Sequence, residues 1–209
     1  MFSDIVVAVE KEQYALLSLL DLSAAFDTVD HEILLRQLYS SFGLNSVVLH
    51  WFRSYLKEHT QSVLLDDIFT TPRCVLCGVL KGSVLGPILF TLYTADLGRI
   101  IELFGLLDHC YADDTQVYGS CSLNDSAALR TKLLGCVDMI GRWMASNRLK
   151  LNPSKSEFMW CATARSLHND SEFILPDGAV KASTSARDLG AYRDQAMTLQ
   201  DHVNRMVSS

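Results

Sequence analysis

A nearly uninterrupted apolar run, YALLSLLDL at residues 14–22, constrains the fold of this chain more than any other segment. A strand that is covered on both faces needs apolar residues at every position, whereas a half-exposed strand alternates. The run therefore predicts a buried central strand of a sheet. It ends with a lone acid, Asp21, and a carboxylate beside a core is costly unless it is paired or binds a cation.

A second acidic site is predicted at the tip of an apolar hairpin. Residues 107–111 and 116–119 are predicted strands, and the turn between them contains Asp113 and Asp114. Adjacent carboxylates raise each other's pKa unless a cation neutralises them, and oxygen-only ligands favour magnesium or manganese. Together with Asp21, the pair fits a two-metal site for attack at phosphorus. The alternative is an acidic β-turn and an unrelated acid at a strand end.

Helices and short strands fill the rest of the chain. One helix is predicted at residues 31–42 with Asp30 as cap, and another from Asn45 or Ser46 to Lys57 with Val48, Phe52, Tyr55 and Leu56 inward. A third is predicted from near Pro87 to about Phe104. A fourth follows an Asn124 cap and has Leu129, Leu133, Val137, Ile140 and Met144 on one face. Further strands are predicted at residues 60–65, 73–77, 157–161, 173–175 and 180–182. Helices inserted between strands of one sheet predict an α+β fold.

The charge of the chain bears on its partners. Its 209 residues are 49% hydrophobic and 20% charged, as in a globular protein, and carry a net charge of −6. A protein that binds nucleic acid by itself usually has a basic surface, because phosphate contacts supply most of the affinity. Residues 142–165 contain five basic residues and one acid. This segment is either a nucleic-acid contact or a solvated helix end and loop.

The spacing of the cysteines and the N-terminal sequence indicate the cellular compartment of the protein. Six cysteines show no framework pattern, and charged residues occupy the start of the chain, where a secretory signal would need an apolar run. These features predict a reducing, intracellular location in the nucleus or cytoplasm. The longest apolar runs are too short or interrupted for a transmembrane helix. Cys74 and Cys77 form a CxxC without a second pair, which argues against a zinc site.

Six motifs in one order resemble the palm of LINE-type (non-LTR, jockey-like) reverse transcriptases. They are LDLSAAFDTVDH (residues 20–31), WFRSYL (51–56), GVLKGSVLGPILFTLY (78–93), YADDTQVY (111–118), LKLNPSKSEF (149–158) and RDLGAYRD (187–194). The resemblance covers nearly the whole chain and implies a palm-like antiparallel sheet with helices packed on one face.

The resemblance also implies a catalytic set. Asp21 and Asp113 match the principal metal ligands and Asp114 the third acid, for two Mg²⁺ or Mn²⁺ ions. Lys155 matches the lysine that protonates the leaving group. The alternative for Lys155 is an ordinary exposed lysine.

Nucleotide and primer contacts are implied on the same grounds. Phe26 matches the aromatic residue that excludes a 2′-hydroxyl, Gly82 matches the glycine beside the nucleotide, and Ser83 follows it. Lys81 stands where the family usually has glutamine. Compared with glutamine, lysine lacks the hydrogen-bond acceptor and adds a positive charge. Leu189 and Gly190 match the primer grip. The alternatives are core packing for Phe26, a helix-start turn for Gly82 and Ser83, and a hydrophobic turn for Leu189–Gly190.

The implied function is RNA-directed DNA polymerisation, with an RNA template, a DNA primer and deoxynucleoside triphosphates as partners. Residues 1–209 are expected to form the palm, with the fingers and most of the thumb absent and activity impaired in isolation. The alternative is an inactive retrotransposon remnant or an interaction module that keeps the fold. A hydrolase is disfavoured because no nucleophile–histidine arrangement is recognisable.

Overall fold

A computed structural model describes residues 1–57, 59–80, 82–163, 172–175 and 178–207. The helices are α1 (Phe2–Glu10), α2 (His31–Ser40), α3 (Ser46–Leu56), α4 (Leu85–Thr94), α5 (Asp96–Leu103), α6 (Ser126–Ser146) and α7 (Gln200–Val207). The strands are β1 (Tyr14–Leu20), β2 (Thr60–Gln61), β3 (Leu64–Leu65), β4 (Ile68–Phe69), β5 (Arg73–Cys74), β6 (Leu107–Tyr111), β7 (Asp114–Cys121), β8 (Glu157–Cys161), β9 (Glu172–Leu175), β10 (Gly178–Lys181), β11 (Ser185–Asp188) and β12 (Ala191–Asp194).

The chain forms two compact units. The first contains Met1–Ser23, Leu97–Met144 and Lys150–Ser209, and the second contains Ala24–Asp96 and Ala145–Leu149. None of the helices in the described residues has both the length and the apolar composition needed to cross a membrane.

The main sheet belongs to the first unit and has the strand order β6-β7-β1-β8. All its strand pairs are antiparallel, and β1 lies between β7 and β8. Leu16 and Leu17 of β1 are fully buried, which confirms the predicted central strand. Ser18, the polar residue of the run, is also fully buried and donates its hydroxyl hydrogen to the Val117 carbonyl. This bond removes the cost of burying the hydroxyl group.

Helices α6 and α1 supply apolar side chains to the first unit. All five apolar residues predicted for one face of α6 are buried. The predicted Asn124 cap is wrong, because Asn124 lies in a 3-10 turn (Leu123–Asp125) and α6 begins at Ser126. Helix α1, which the sequence analysis did not predict, buries Ile5, Ala8 and Val9 in a cluster that includes Leu17 of β1.

In the second unit, α2 begins as predicted. Asp30 Oδ1 accepts hydrogen bonds from the backbone N–H groups of Glu32 and Ile33, both at 3.0 Å. The other Asp30 oxygen lies 2.9 Å from Arg148 Nε. Tyr93 of α4 is fully buried and donates its hydroxyl hydrogen to the Asn147 carbonyl at 2.5 Å. These polar contacts hold α2, α4 and the 145–149 segment in one unit.

Three predictions for residues 46–104 are wrong in the lengths of the helices and strands or in how much of a helix is buried. The predicted long helix from Pro87 is two helices, because α4 ends at Thr94 and Asp96 starts a new helix, where an acid favours the first turn. Residues 60–77 form two short two-stranded ladders, β2–β5 and β3–β4, instead of two longer strands. Helix α3 buries only Leu56 among its described residues, and Val48 is exposed.

Candidate active site

The predicted acids lie at one end of the main sheet. The last pair between β1 and β7 joins Leu20 and Thr115, so Asp21 follows β1 at the point where Asp114 begins β7. Tyr111 of β6 pairs with Asp114, and Asp113 lies in the two-residue turn between them. Ala112, the other residue of this turn, has a positive φ of 54°. The turn is tighter than predicted, and it moves Asp114 into the strand.

A small pocket of ≈ 100 Å³ lies beside these acids. Its lining residues are Leu19, Leu20, Asp21, Asp114, Thr115, Gln116, Lys155, Glu157, Arg187, Asp188 and Leu189. It therefore brings together four of the predicted site residues, namely Asp21, Asp114, Lys155 and Leu189. Asp113 is adjacent to Asp114 in the chain but is not among the lining residues.

The electrostatics of the pocket are dominated by negative charge. The pKa of Asp114 is raised, chiefly because burial removes water from its carboxyl group, and further by the charges of Asp113, Asp21 and Asp188. A positive charge lies beside Asp21, because Lys155 Nζ is 3.9 Å from Asp21 Oδ1. That distance is too long for a hydrogen bond. Lys155 therefore neutralises the cluster only in part.

The loop that carries Lys155 is tied to the backbone of Asp21. The Asn152 N–H donates to the Asp21 carbonyl at 2.9 Å, and the Lys155 N–H donates to the Asn152 carbonyl at 3.1 Å. The Ser156 hydroxyl accepts a bond from the Asp21 N–H at 3.4 Å. These bonds fix Lys155 and Asp21 as neighbours although they are far apart in the chain.

The donor set fits a divalent cation. Asp21 Oδ1 and Gln116 Oε1 are buried without a hydrogen-bond partner, and both are acceptors of the kind that hard cations prefer. Within the described part of the chain, no group of three or more His, Cys, Asp or Glu side chains is already arranged to hold a metal ion. The carboxylates alone therefore form an incomplete coordination shell, which substrate phosphates and water could complete.

Sequence reasoning missed Asp188, Gln116 and Arg193. Asp188 and Gln116 are almost fully buried, and Gln116 Nε2 donates a hydrogen bond to Asp188 Oδ1. Arg193 Nε lies 3.7 Å from Asp188 Oδ2, and its guanidinium lies over the Phe2 ring at 4.4 Å. Because Gln116 is two positions after Asp114, both side chains are on the same face of β7. The only sequence signal was the RDLG motif, from which only Leu189 and Gly190 were chosen.

Leu189 and Gly190 form the turn between β11 and β12. Both have positive φ, 45° for Leu189 and 86° for Gly190. Leu189 is 50% exposed, although it also lines the pocket. The bond from Gln116 to Asp188 therefore fastens this turn to the acid-bearing strand β7.

Three of the predicted nucleotide-binding residues, Phe26, Gly82 and Ser83, belong to the second unit. The Phe26 ring packs against Phe90 with 4.8 Å between centroids. Gly82 has φ 78°, a conformation that other residues rarely adopt, and Ser83 Oγ accepts from the Gly86 N–H at 2.9 Å. Lys81 lies outside the described residues. Their roles remain predictions.

The basic segment 142–165 is largely engaged with acids. Arg142 pairs with Asp138 at 2.8 Å, Arg148 with Asp30, and Lys155 lies near Asp21. Arg165 lies outside the described residues. These pairs reduce the positive charge that the segment presents to a polyanion.

Comparison with known proteins identifies the class. Residues 3–190 match the family described as reverse transcriptase (RNA-dependent DNA polymerase), and the chain belongs to that family. Over 207 residues it is 29% identical to the probable RNA-directed DNA polymerase from transposon BS of Drosophila melanogaster. It is 28% identical over 212 residues to the RNA-directed DNA polymerase from mobile element jockey of Drosophila funebris. These relatives confirm the LINE-type prediction.

The alignments cover 95% and 97% of the chain but 22% of each relative, so the chain spans under a quarter of their length. Among solved structures, apo telomerase from Candida tropicalis matches with a TM-score of 0.64 at 12% identity, over 95% of this chain and 37% of that one. A telomerase from Candida albicans matches with a TM-score of 0.60 at 12% identity, over 92% of this chain and 34% of that one. The likeness confirms the α+β palm-like fold. Members of the reverse transcriptase family generally use divalent metal ions.

Proposed function

We propose that this domain catalyses RNA-directed DNA polymerisation, adding deoxynucleotides to a DNA primer on an RNA template. The observation that carries the proposal is the grouping of Asp21, Asp114 and Lys155 in one pocket at the end of the main sheet, with Asp113 in the adjoining turn. The pocket is lined by more acids than cations, since Lys155 and Arg187 face Asp21, Asp114, Glu157 and Asp188. Phosphoryl-transfer sites use such carboxylate clusters to hold cations.

Asp21, Asp113 and Asp114 would hold two divalent ions, Mg²⁺ or Mn²⁺. When bound, the ions supply activation of the primer 3′-hydroxyl and stabilisation of the pyrophosphate leaving group. The Asp21 Oδ1 atom, buried without a hydrogen-bond partner, supports this assignment, because burying a carboxylate oxygen without a hydrogen bond is costly.

Lys155 would act as an acid for the leaving group. Its Nζ carries a proton beside Asp21, and its side chain is 67% exposed, which lets it reach a phosphate in the pocket.

Three other groups of residues would place the substrates. The Leu189–Gly190 turn would contact the primer end, and Gln116 and Asp188 would hold this turn on β7. Phe26 would discriminate against ribonucleotides, while Lys81, Gly82 and Ser83 would contact the incoming nucleotide. Most of the catalytic gain in phosphoryl transfer comes from such positioning and from electrostatic stabilisation.

Primer extension on an RNA template tests the proposal. Extension by the parent chain and by Asp113→Asn is measured in the presence of Mg²⁺. Each protein is assayed alone and with fingers and thumb segments added. Asp113→Asn keeps the size of the side chain and removes its charge, so the proposal predicts loss of extension with little change in folding. Ser120→Ala, an exposed position at the far end of β7, is the matched control and keeps parental activity.

Manganese binding by calorimetry gives a second measurement that does not need activity. The parent is expected to bind Mn²⁺ weakly, because its shell is incomplete without phosphates, and Asp113→Asn is expected to bind it more weakly still. Equal Mn²⁺ affinity in the two proteins, with no Mg²⁺-dependent extension in either form, would contradict the proposal. That result would favour an inactive remnant that keeps the fold.

A further inference from the structure

The segment just before the predicted nucleotide-binding turn lies against the loop that carries Phe26. The Gly78 N–H donates to the Val29 carbonyl at 2.7 Å, and the Val79 N–H donates to the Phe26 carbonyl at 2.8 Å. Gly78 has φ 92°, and a Cβ atom there would lie 3.0 Å from the Asp27 carbonyl oxygen and 3.1 Å from that of Phe26. The two backbones are therefore so close that a side chain at position 78 would push them apart.

The His31 side chain makes a third bond to this segment. Its Nε2 atom lies 2.7 Å from the Gly78 carbonyl oxygen, and because a carbonyl only accepts, Nε2 carries the hydrogen. His31 is the first residue of α2, where the helix dipole favours acids over a group that can become cationic. The bond to Gly78, 47 residues away in the chain, therefore explains a histidine at this position better than the helix does.

The turn after the Gly78–Val79 segment is closed by its own hydrogen bonds. The Leu80 carbonyl accepts from the Ser83 N–H at 3.2 Å and from the Ser83 hydroxyl at 2.7 Å. The Ser83 Oγ atom in turn accepts from the Gly86 N–H, and a Cβ atom at Gly86 would lie 2.7 Å from the Leu80 carbonyl oxygen. Because the turn is closed in this way, the bonds of the Gly78–Val79 segment determine where it stands relative to Phe26.

The Phe26 ring has a support of its own. It is partly exposed and packs on the ring of Phe90, which is fully buried in α4. The buried ring provides a fixed surface behind Phe26. The ring and the closed turn are thus each held in place, and the bonds of the Gly78–Val79 segment, including the one from His31, join them.

We propose that His31 is a positioning residue for sugar selection. It holds the Gly78–Val79 segment on the Phe26 loop and thereby fixes the separation between the Phe26 ring and the Gly82–Ser83 turn. The sugar of the incoming nucleotide lies between these two groups, and His31 acts through them without touching it. The proposal rests on the proposed polymerase function and adds a residue to it.

Two replacements of similar shape isolate the hydrogen bond. His31→Gln keeps an N–H donor at a similar reach, whereas His31→Met is also long and unbranched but cannot donate. Extension with fingers and thumb segments added gives the preference for deoxynucleotides over ribonucleotides as a ratio of kcat/KM values. His31→Met should lower this preference about 2- to 12-fold, the worth of one hydrogen bond. His31→Gln should keep the parental preference.

A double variant tests whether His31 acts through Phe26. Because Phe26→Val already removes the ring, adding His31→Met to it should cause no further loss of preference, whereas independent effects would multiply. Gly78→Ala provides a second route to the same displacement, because its Cβ atom forces the segment away from the loop. It should lower the preference at least as much as His31→Met.

His59→Met is the matched control. His59 Nε2 also bonds a backbone carbonyl of the second unit, that of Tyr55, but this bond spans only four residues just after α3. A merely structural role for His31 predicts equal effects of the two methionine variants, whereas the proposal predicts parental preference in His59→Met. Amide hydrogen exchange gives a measurement without activity, because exchange at Gly78 and Val79 should become about 2- to 12-fold faster in His31→Met but not in His31→Gln.

Several results would overturn the proposal and leave the polymerase function intact. They are parental preference in His31→Met, an equal loss in His31→Gln, an equal loss in His59→Met, and multiplying effects in the double variant. Unchanged exchange at Gly78 and Val79 in His31→Met would overturn it as well. If the parent extends no primer with fingers and thumb segments added, the proposed polymerase function fails, and this proposal fails with it.

Discussion

Replacement of Asp188 by alanine should destabilise the first unit, because it removes a hydrogen-bond acceptor from Gln116 and a negative charge from beside Arg193. Gln116, 1% exposed, would lose the carboxylate that accepts its amide hydrogen, and Arg193 would lose its buried anionic neighbour. Breaking a buried pair by removing one partner costs about 3–5 kcal/mol. Because the Arg193 side chain is still 18% exposed, we expect the lower end of this range, about 3 kcal/mol.

Asparagine at the same position separates the charge from the hydrogen bond. Asp188→Asn keeps an oxygen that accepts from Gln116 and loses only the negative charge, so its cost should be about 1 kcal/mol. Glu10→Ala, which removes an exposed acid from α1, should change the free energy of unfolding by less than about 0.5 kcal/mol.

Urea unfolding monitored by circular dichroism measures these differences. For a domain of this size, about 3 kcal/mol corresponds to a fall in Tm of about 6–12 °C, which thermal melts can check. Loss of less than 1 kcal/mol in Asp188→Ala, or equal losses in the Ala and Asn variants, would refute the reasoning that Asp188 joins the β11–β12 turn to β7.

Two further predictions concern the site and its surroundings. Because the pKa of Asp114 is raised in the folded state, its stabilising contribution is present below the pKa of the unfolded state and is lost as pH rises through the folded-state pKa. Asp114→Asn should therefore have a higher free energy of unfolding than the parent at pH 7. Urea titrations should show this advantage shrinking as pH falls towards the ordinary pKa of an aspartate. A constant difference between pH 7 and pH 4 would contradict this. Phe26→Val should increase ribonucleotide incorporation relative to deoxynucleotides in extension assays, whereas unchanged discrimination with lower stability would assign Phe26 to packing against Phe90.

The elements that the sequence predicted well are those that local chemistry determines. β1 followed from continuous apolar residues, α2 from the Asp30 cap, and α6 from apolar residues at helical spacing. Helix α3 shows the limit of this reasoning. Its apolar and aromatic residues predicted a buried face, yet only Leu56 is buried, because periodicity does not reveal whether a neighbouring element covers the helix.

The candidate site depends on long-range pairing, which sequence patterns describe less well. Asp21 and Asp114 could be chosen from their strand contexts, but their proximity results from the pairing of Leu20 with Thr115. Asp188 and Gln116 are 72 residues apart, and neither has a local pattern that predicts the other as its partner. A buried side-chain pair of this kind becomes visible only in three dimensions.

The central position of β1 sets the order in which the chain can fold during synthesis. β1 leaves the ribosome early, but its partner β7 follows about 100 residues later and β8 later still. Most of the second unit, Ala24–Asp96, is translated within this interval and lies between the strands that must meet. Contacts within that segment can therefore form first, while the apolar β1 waits without partners and is open to aggregation or to chaperone binding. Asp21 and Asp114 can come together only after the β6–β7 hairpin has been made, and Lys155 and Asp188 join them later still.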